Sequence, residues 1–363
     1  MKTWVGTLLA AIAICASSGV AQEYAVGADV SYLRQAEQQG VVFKENGAAK
    51  PVLEMLREHG YNWIRLRLFH TPTDLPNNLE YTIASAKTAK QLGFHLLLDF
   101  HYSDTWADPA KQFMPAAWKG LKHEQLVNAV FAYTRDTIAA FRSAGVLPDM
   151  VQVGNEVIAG MLWPDGHLPD NWDNFVAFLK AAIAGVAAGA GDSPHPRIMI
   201  HIDRGGDKNG TKFFFDKINL YHVPYDVIGQ SYYPFWHGEI NSLRDNLRFM
   251  AREYKKDIIL VETAYNWKPA EYVTKKDAPF PESPAGQKQF LDAVNRVVKE
   301  TPGGLGKGVF WWEPAVPPGP ISSRSFFDDN GNVLPVITVF DSPRPTADGS
   351  HETSGQSSSF AFP

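Results

Sequence analysis

From residue 24 onward, short runs of β-branched and aromatic residues alternate with longer segments in which apolar residues recur at helical spacing. This alternation is typical of βα units that surround a parallel sheet. Eight runs are predicted to be strands: Tyr24–Val30, Trp63–Phe69, His95–His101, Met150–Gly154, Arg197–Ile202, Val227–Tyr232, Ile258–Thr263 and Gly308–Trp312. The helices predicted between them are Pro51–His59, Leu79–Leu92, Glu124–Ala144, Trp172–Ala188, Thr211–Leu220, Leu243–Tyr254 and Pro284–Glu300.

Eight strands that alternate with seven helices in about 320 residues predict an α/β fold, a (β/α)8 TIM barrel with enlarged βα loops and an abbreviated last unit. A doubly wound open sheet is the alternative, but it normally carries a glycine-rich turn after an early strand, and none follows Tyr24–Val30. We expect a single catalytic domain over residues 22–340. Residues 341–363 are rich in Ser, Gly, Pro and Thr and are predicted to be a disordered tail.

The first 21 residues have the pattern of a secretory signal peptide. Lys2 is followed by an apolar run, Trp4–Ala16, and a stretch of small residues ends at Ala21. We expect cleavage after Ala21 and a protein that is secreted, either to the medium or to a periplasm.

Two other readings of this segment are a membrane anchor and a lipoprotein modified at Cys15. The apolar run is short and is broken by Gly6 and Thr7, and Ile14 is large where a lipoprotein has a small residue. Cys15 is the only cysteine, so the mature chain is expected to lack disulfides. Once the signal peptide is cleaved, no association with a membrane is expected.

The charge balance argues against nucleic acid as a partner. The chain has 34 Lys and Arg against 39 Asp and Glu, a formal net charge of −5, and it contains no basic run. Apolar residues make up 45% and charged residues 20%, which is ordinary for a soluble globular domain. We expect a monomer.

Two glutamates follow apolar strands at positions where barrel enzymes place their catalytic groups. Glu156 comes just after Met150–Gly154, and Glu262 lies near the end of Ile258–Thr263. Active sites of such barrels lie at the carboxyl ends of the strands. A pair of carboxyl groups there is what glycoside hydrolysis requires, since one protonates the leaving oxygen and the other attacks or stabilises the sugar cation. Either glutamate could instead simply pair with an arginine at the rim.

Other strand ends carry polar groups that could support such a pair. Arg65 and Arg67 alternate on one face of their strand, and buried cations need carboxylates, so one of them is expected to orient an active-site acid. His101 lies beside Asp99 and Asp104, where it could either support the site or contact a sugar.

Tryptophans cluster at or just after the strand ends. Sugar rings have flat C–H faces that pack on indole rings, so we expect some of these residues to line a sugar-binding cleft and the others to pack in the core. They are Trp106, Trp163, Trp236, Trp267, Trp311 and Trp312.

Other chemistries lack their signatures. The strands show no pair of His residues separated by one position, no helix has two His with a Glu at metalloprotease spacing, and there is no Gly-x-Ser-x-Gly elbow. We therefore expect no metal and no cofactor. A non-catalytic periplasmic sugar-binding protein remains possible as a class, because it would share the signal peptide and the aromatic residues, but it would not need paired strand-end glutamates.

Several segments, in order, resemble the arabinogalactan endo-β-1,4-galactanases of glycoside hydrolase family 53. The resemblance covers about residues 24–340, which is almost the whole expected domain, and is most specific in the third-strand segment and the Asn-Glu motif. The matching segments are Gly27–Ser31, Arg65–Arg67, Asp99–Pro109, Val153–Glu156, Gly160–Pro164, Ser231–Phe235, Val261–Thr263 and Trp312–Pro314.

This resemblance implies a retaining hydrolase of pectic galactan side chains, with Glu156 as acid/base and Glu262 as nucleophile. It also implies that Asn155 binds the sugar 2-hydroxyl, that Arg65 and Tyr233 hold Glu262 ionised, that His101 supports the pair, and that Trp312 forms the floor of the −1 subsite. Further residues expected to bind substrate are Asp29, Asp104, Trp106, Trp163, Trp236 and Trp311.

Two details refine the resemblance. Ser231 stands where many related barrel enzymes have His, which favours a galactanase over the cellulases and mannanases that remain the alternatives. Some family members bind calcium after strand seven, but Tyr265–Ala285 has no compact cluster of oxygen ligands, so no calcium is expected here.

Overall fold

A computed structural model describes residues 23–270 and 278–341. Eight parallel strands close into a barrel in chain order, with β1 pairing to both β2 and β8. This confirms the predicted (β/α)8 barrel. The strands are β1 (Ala25–Asp29), β2 (Trp63–Leu68), β3 (His95–Phe100), β4 (Met150–Val153), β5 (Arg197–Ile202), β6 (Val227–Tyr232), β7 (Asp257–Thr263) and β8 (Gly306–Trp312).

Helices on the outside of the barrel follow the predicted ones within a few residues. They are α1 (Leu33–Gln38), α2 (Val52–Glu58), α3 (Leu79–Gln91), α4 (His123–Ser143), α5 (Trp172–Ala190), α6 (Lys208–Leu220), α7 (Pro234–His237), α8 (Ile240–Glu253) and α9 (Pro284–Lys299). The sequence did not reveal α1 and α7, because six and four residues are too few to show a helical period.

Two expectations concern parts of the chain outside the described residues. The expected signal peptide, residues 1–21, and the expected tail after Asp341 are not described. Residues 271–277, part of the segment after strand seven where no calcium site is expected, also lie outside the described residues.

The interior of the barrel has an apolar layer below a polar one. The apolar layer is a cluster of inward-facing residues: Ala25, Trp63, Leu97, Met150, Met199, Val227, Ile259, Val261 and Phe310. Because side chains alternate along a strand, the residue two positions further on points into the barrel as well. Arg65, Asp99 and Gln152 occupy these positions above Trp63, Leu97 and Met150 and are buried.

Helix α5 is the one described helix that is long and apolar enough to cross a membrane by length and composition. It lies on the barrel, with Phe175, Phe178 and Leu179 fully buried. Gly185 and Gly189 let it approach α4 closely, since an added Cβ would lie 2.8 Å from the Phe131 carbonyl oxygen and 2.5 Å from that of Arg135. Its apolar composition therefore serves packing within this domain.

A β-bulge in β7 decides the direction of one glutamate. Leu260 pairs with Gln230 of β6, but the next pair is Glu262 with Ser231, so Val261 is an extra residue. Simple alternation would place Glu262 on the same outward face as Leu260. Because a bulge changes the direction of the side chains that follow it, the Glu262 side chain instead points into the barrel mouth.

Candidate active site

A cleft of about 820 Å³ opens at the carboxyl ends of the strands. The predicted catalytic pair, Glu156 and Glu262, lines it together with Arg65, Asn155 and Tyr233. The structure therefore brings together residues of β2 and β7 and residues that directly follow β4 and β6, which are far apart in the sequence.

Glu262 is held by a cation and a phenol. Arg65 Nη1 lies 2.7 Å from Glu262 Oε1, and the Tyr233 hydroxyl donates a hydrogen bond of 3.2 Å to Oε2. Arg65 is itself fixed by Asp29 at 2.7 Å and Asp99 at 2.8 Å, and it is almost completely buried. Arg65 and Tyr233 therefore both contact the Glu262 carboxyl group.

His101 lies next to this network without contacting Glu262. The Ala107 N–H donates to His101 Nδ1 at 3.0 Å, so the ring proton resides on Nε2, which lies 3.1 Å from Asp99 Oδ2. The contact of His101 with the catalytic pair is therefore indirect, through Asp99 and Arg65.

Glu156 projects from a strained turn after β4. Gly154 has a φ of 98°, and Glu156 itself has φ 48° and ψ 49°, a left-handed conformation that is unfavourable for a residue with a side chain. Asn155 anchors the turn, because its Nδ2 donates to the Ala107 carbonyl at 2.9 Å and its Oδ1 accepts from Arg65 Nη2 at 2.9 Å. Strain at a cleft residue is a common mark of a functional site.

Ser231 connects the two glutamates. Its hydroxyl donates to Glu156 Oε1 at 2.6 Å and lies 3.5 Å from Glu262 Oε2. By the triangle inequality, these two carboxyl oxygens are at most about 6.1 Å apart. Ser231 stands where many related barrel enzymes have His, and its contact with Glu156 gives this difference a structural role.

His201 on β5 stands behind Ser231, and the sequence reading did not single it out. His201 Nδ1 lies 3.0 Å from Gln152 Nε2 and 3.1 Å from Asn155 Oδ1, and it accepts a hydrogen bond of 3.4 Å from the Glu156 N–H. With Nδ1 accepting from Glu156, the ring proton is on Nε2, which donates to Ser231 Oγ at 2.8 Å. Burial lowers the pKa of His201 well below its usual value, so the imidazole is neutral.

The two glutamates differ in their electrostatic surroundings. Burial, the charge of Glu262 and the charge of Asp203 raise the pKa of Glu156 well above its usual value. Burial also raises the pKa of Glu262, but Arg65 opposes the effect. Within residues 23–270 and 278–341, Glu262 forms an ion pair with Arg65, whereas Glu156 forms none. Of the two glutamates, Glu156 is therefore the one predisposed to hold a proton.

Arg67 pairs with another acid at the mouth. It forms an ion pair with Glu313, just after β8, and burial raises the pKa of Glu313 to about 8. The Arg67 guanidinium carbon also lies 4.2 Å from the Tyr32 ring centroid and 4.3 Å from that of Trp106. This sandwich fixes Trp106 at the cleft wall.

Three of the predicted tryptophans line the cleft: Trp106, Trp236 and Trp312. Trp236 is 56% exposed, and the guanidinium carbon of Arg324 lies 5.4 Å from its ring and 5.2 Å from that of Trp312. Large aromatic faces beside a carboxyl pair are suited to sugar rings.

The structure places other residues expected to bind substrate elsewhere. Trp311 is buried, and its Nε1 donates to the Arg324 carbonyl at 2.9 Å, because alternation along β8 turns it away from the face that carries Trp312. This corrects the expectation that Trp311 lines the cleft. Trp267 also lies outside the lining, with its Nε1 bonded to the Ser322 carbonyl at 3.0 Å.

Asp104, Asp29 and Trp163 also differ from their expected positions. Asp104 does not line the cleft, and it accepts hydrogen bonds from the backbone N–H groups of Thr71 and Ala116, so it joins two loops. Asp29 reaches the cleft but is fully buried against Arg65. Trp163 lies beyond the lining, where its ring meets Phe113.

Residues suited to metal binding are not grouped in this structure. Among residues 23–270 and 278–341, no cluster of three or more His, Cys, Asp or Glu side chains could hold an ion.

The chain is similar to known proteins both in sequence and in structure. The model of glycosyl hydrolase family 53 matches residues 25–340. An uncharacterised protein of Niallia circulans is 42% identical over 88% of this chain and 90% of its own length. A probable arabinogalactan endo-β-1,4-galactanase A of Neosartorya fischeri is 38% identical over 84% of this chain and 87% of its own length. The solved structure of a fungal β-1,4-galactanase has a TM-score of 0.79 at 35% identity, covering 87% of this chain and 98% of that one.

Proposed function

Because the chain belongs to glycosyl hydrolase family 53, we propose that it cleaves β-1,4-galactosidic bonds inside galactan and arabinogalactan chains, with retention of the anomeric configuration. One observation carries the proposal. Glu156, whose raised pKa favours a bound proton, and Glu262, a carboxylate paired with Arg65, lie in the same cleft. The relatives whose names state a substrate act on arabinogalactan, which supports galactan as the substrate here.

In the first step, a carboxylate oxygen of Glu262 attacks the anomeric carbon while the bond to the leaving oxygen breaks. Glu156 gives its proton to that oxygen, so the shortened chain leaves as an alcohol and a galactosyl ester of Glu262 remains. The hydrogen bonds from Arg65 and Tyr233 aim Glu262 and favour its ionised form.

In the second step, Glu156, now a carboxylate, removes a proton from water, and the water oxygen displaces Glu262 from the anomeric carbon. The product regains the original configuration, and both glutamates regain their starting charge. The hydroxyl of Ser231 can stabilise the ionised Glu156 between the two steps, since it already donates to Oε1 at 2.6 Å.

The spacing of the two acids favours retention. Retaining enzymes have carboxyl groups about 5–5.5 Å apart, whereas inverting enzymes need roughly 6.5–9.5 Å to admit a water molecule. Ser231 holds one oxygen of each carboxyl group within about 6.1 Å of the other, which supports the shorter spacing of retaining enzymes.

The substrate can be tested by measuring reducing ends released from linear β-1,4-galactan beside cellulose, mannan and xylan. We expect galactan alone to be hydrolysed, with short oligosaccharides appearing early, as endo cleavage requires. Hydrolysis of mannan or cellulose instead would keep the mechanism and change the substrate. Tight galactan binding without any turnover would favour a sugar-binding protein.

We further propose that the enzyme is secreted, on the basis of the leader-like first 21 residues. We also propose that it acts as a monomer. Sequencing the N-terminus of the secreted protein should give Gln22 as the first residue, and light scattering should give the mass of one chain. An intact Met1 on a membrane-bound protein would contradict the first part, and a dimer mass the second.

A further inference from the structure

Arg324 lies in the wall of the cleft among three aromatic rings. Its guanidinium carbon is 5.4 Å from the ring centroid of Tyr233, 5.4 Å from that of Trp236 and 5.2 Å from that of Trp312. Each distance is within the range of a cation–π contact. Arg324 is only 9% exposed, so water screens little of its charge and these contacts gain in strength.

The three rings belong to two parts of the barrel rim. Tyr233 directly precedes α7 and Trp236 lies within it, and their ring centroids are 5.4 Å apart. Trp312 is the last residue of β8. Arg324 therefore connects the rings of the α7 segment with the ring at the end of β8.

The backbone of Arg324 is fixed from the core. Its carbonyl accepts hydrogen bonds from Trp311 Nε1 at 2.9 Å and from Gln287 Nε2 at 3.3 Å. Both donors belong to buried residues, one on β8 and the other on α9. The guanidinium is therefore presented from a rigid backbone, and the core residue Trp311 is connected to the cleft through Arg324.

One of the three rings contacts the expected nucleophile. The Tyr233 hydroxyl donates to Glu262 Oε2 at 3.2 Å. Burial raises the pKa of Tyr233 well above its usual value, so the phenol keeps its proton, while the charge of Arg324 acts in the opposite direction. A cation beside a phenol makes its O–H a stronger donor, because the cation stabilises negative charge on the oxygen. Arg324 can therefore act on Glu262 through Tyr233.

We propose that Arg324 is a positioning residue that fixes Tyr233 against Glu262. It also holds Trp236 and Trp312 in place for the sugar rings. This inference rests on the proposed function, in which Glu262 attacks the anomeric carbon. The first effect changes kcat, because the hydrogen bond from Tyr233 aims the nucleophile. The second effect changes KM, because the tryptophans bind sugar rings before the reaction.

The test is a double-mutant cycle between Arg324 and the Tyr233 hydroxyl, measured on linear β-1,4-galactan. Arg324→Met keeps the length of the side chain and removes its charge, and Tyr233→Phe keeps the ring and removes the hydroxyl. In the wild-type background, we expect Arg324→Met to lower kcat about 2- to 30-fold, the range of a cation–π contact, and to raise KM. In the Tyr233→Phe background, Arg324→Met should leave kcat nearly unchanged and should still raise KM.

Arg57→Met is the matched control. The Arg57 guanidinium carbon lies 5.4 Å from the ring centroid of Phe94, the same distance as between Arg324 and Trp236, and neither Arg57 nor Phe94 lines the cleft. We expect its kcat and KM to equal those of the wild type. Thermal melts should show that the variants stay folded. If Arg324→Met does not fold, Arg324→Lys takes its place, because it keeps the charge and removes the planar group that spans the rings. Its loss of kcat should be smaller and should depend on Tyr233 in the same way.

Three results would overturn the inference. Unchanged kcat and KM in the Arg324 variant would show that Arg324 positions none of these rings, and an equal loss of kcat in both backgrounds would show that it does not act through Tyr233. A KM that does not rise would show that the tryptophans do not depend on Arg324. If the wild-type enzyme hydrolyses another polysaccharide but not galactan, the proposed substrate fails alone, because the same cycle can then be measured on that polysaccharide.

Discussion

Arg65 Nη1 lies 2.7 Å from Glu262 Oε1 at the mouth of the barrel. The same guanidinium also contacts Asp29 and Asp99, so one positive charge faces three carboxylates. The surplus of negative charge in a buried site opposes a further ionisation. Burial raises the pKa of Glu156, and the charge of Glu262 raises it further, so Glu156, which lacks a cation of its own among the described residues, is the member of the pair predisposed to hold a proton.

Replacing Arg65 by Met should damage both stability and the pH profile. Three carboxylates would lose their buried partner, and breaking such a pair costs about 3–5 kcal/mol of unfolding free energy. The pKa of Glu262 would rise, so the acidic limb of kcat/KM would move to higher pH. Urea unfolding and a pH profile measure the two effects. Unfolding within 1 kcal/mol of wild type would contradict the buried-network account.

Glu262→Ala should fold normally and lose its turnover of galactan. The nucleophile contributes a covalent step that water cannot replace in the same geometry. With p-nitrophenyl β-1,4-galactobioside, added azide should restore activity and yield the α-galactosyl azide, because azide would enter from the vacated side. The product can be identified by NMR. Restoration with the β-azide, or substantial residual hydrolysis without azide, would argue against Glu262 as nucleophile.

Glu156→Gln should separate substrates by leaving group. General acid catalysis contributes about 10²–10⁴-fold when the leaving oxygen needs a proton, as in galactan. Nitrophenolate leaves without protonation, so formation of the galactosyl ester from the aryl substrate should be affected much less. Pre-steady-state bursts of nitrophenol give this rate directly. An equal loss of the first step on both substrates would reject the acid role.

Ser231→Ala should move the basic limb of the pH profile upward. The Ser231 hydroxyl donates to Glu156 Oε1, and a hydrogen bond to a carboxylate stabilises its charged form and lowers its pKa. Without that bond, the pKa of Glu156 rises further and the acid keeps its proton to higher pH. The acidic limb, set by Glu262, should move less. A basic limb that moves to lower pH would contradict the contact.

Much of this site could be predicted from the sequence, because strand ends carry unusual polar residues. Glu156, Glu262, Arg65 and Asn155 stand out as polar groups next to apolar strands, and the structure places them together. The bulge at Val261 could not be predicted, since an extra residue in one strand leaves no mark in a short apolar run. Without the bulge, alternation would point Glu262 away from the cleft.

Other features depended on tertiary neighbours. Trp311 and Trp312 look equivalent in the sequence, yet opposite faces of β8 place one in the core and one in the cleft. His201 sits within an ordinary apolar strand, and its role behind Ser231 depends on a contact between β5 and β6. An inward position on β5 was a signal that could have drawn attention to it.

The most direct test of the account is time-resolved proton NMR of the anomeric signals while the enzyme hydrolyses linear β-1,4-galactan. A retaining galactanase should first produce new reducing ends with the β configuration, followed by slow mutarotation to the equilibrium mixture. Reducing ends that appear first in the α configuration would contradict the double displacement by Glu262 and Glu156, and a spectrum without new reducing ends would contradict the substrate.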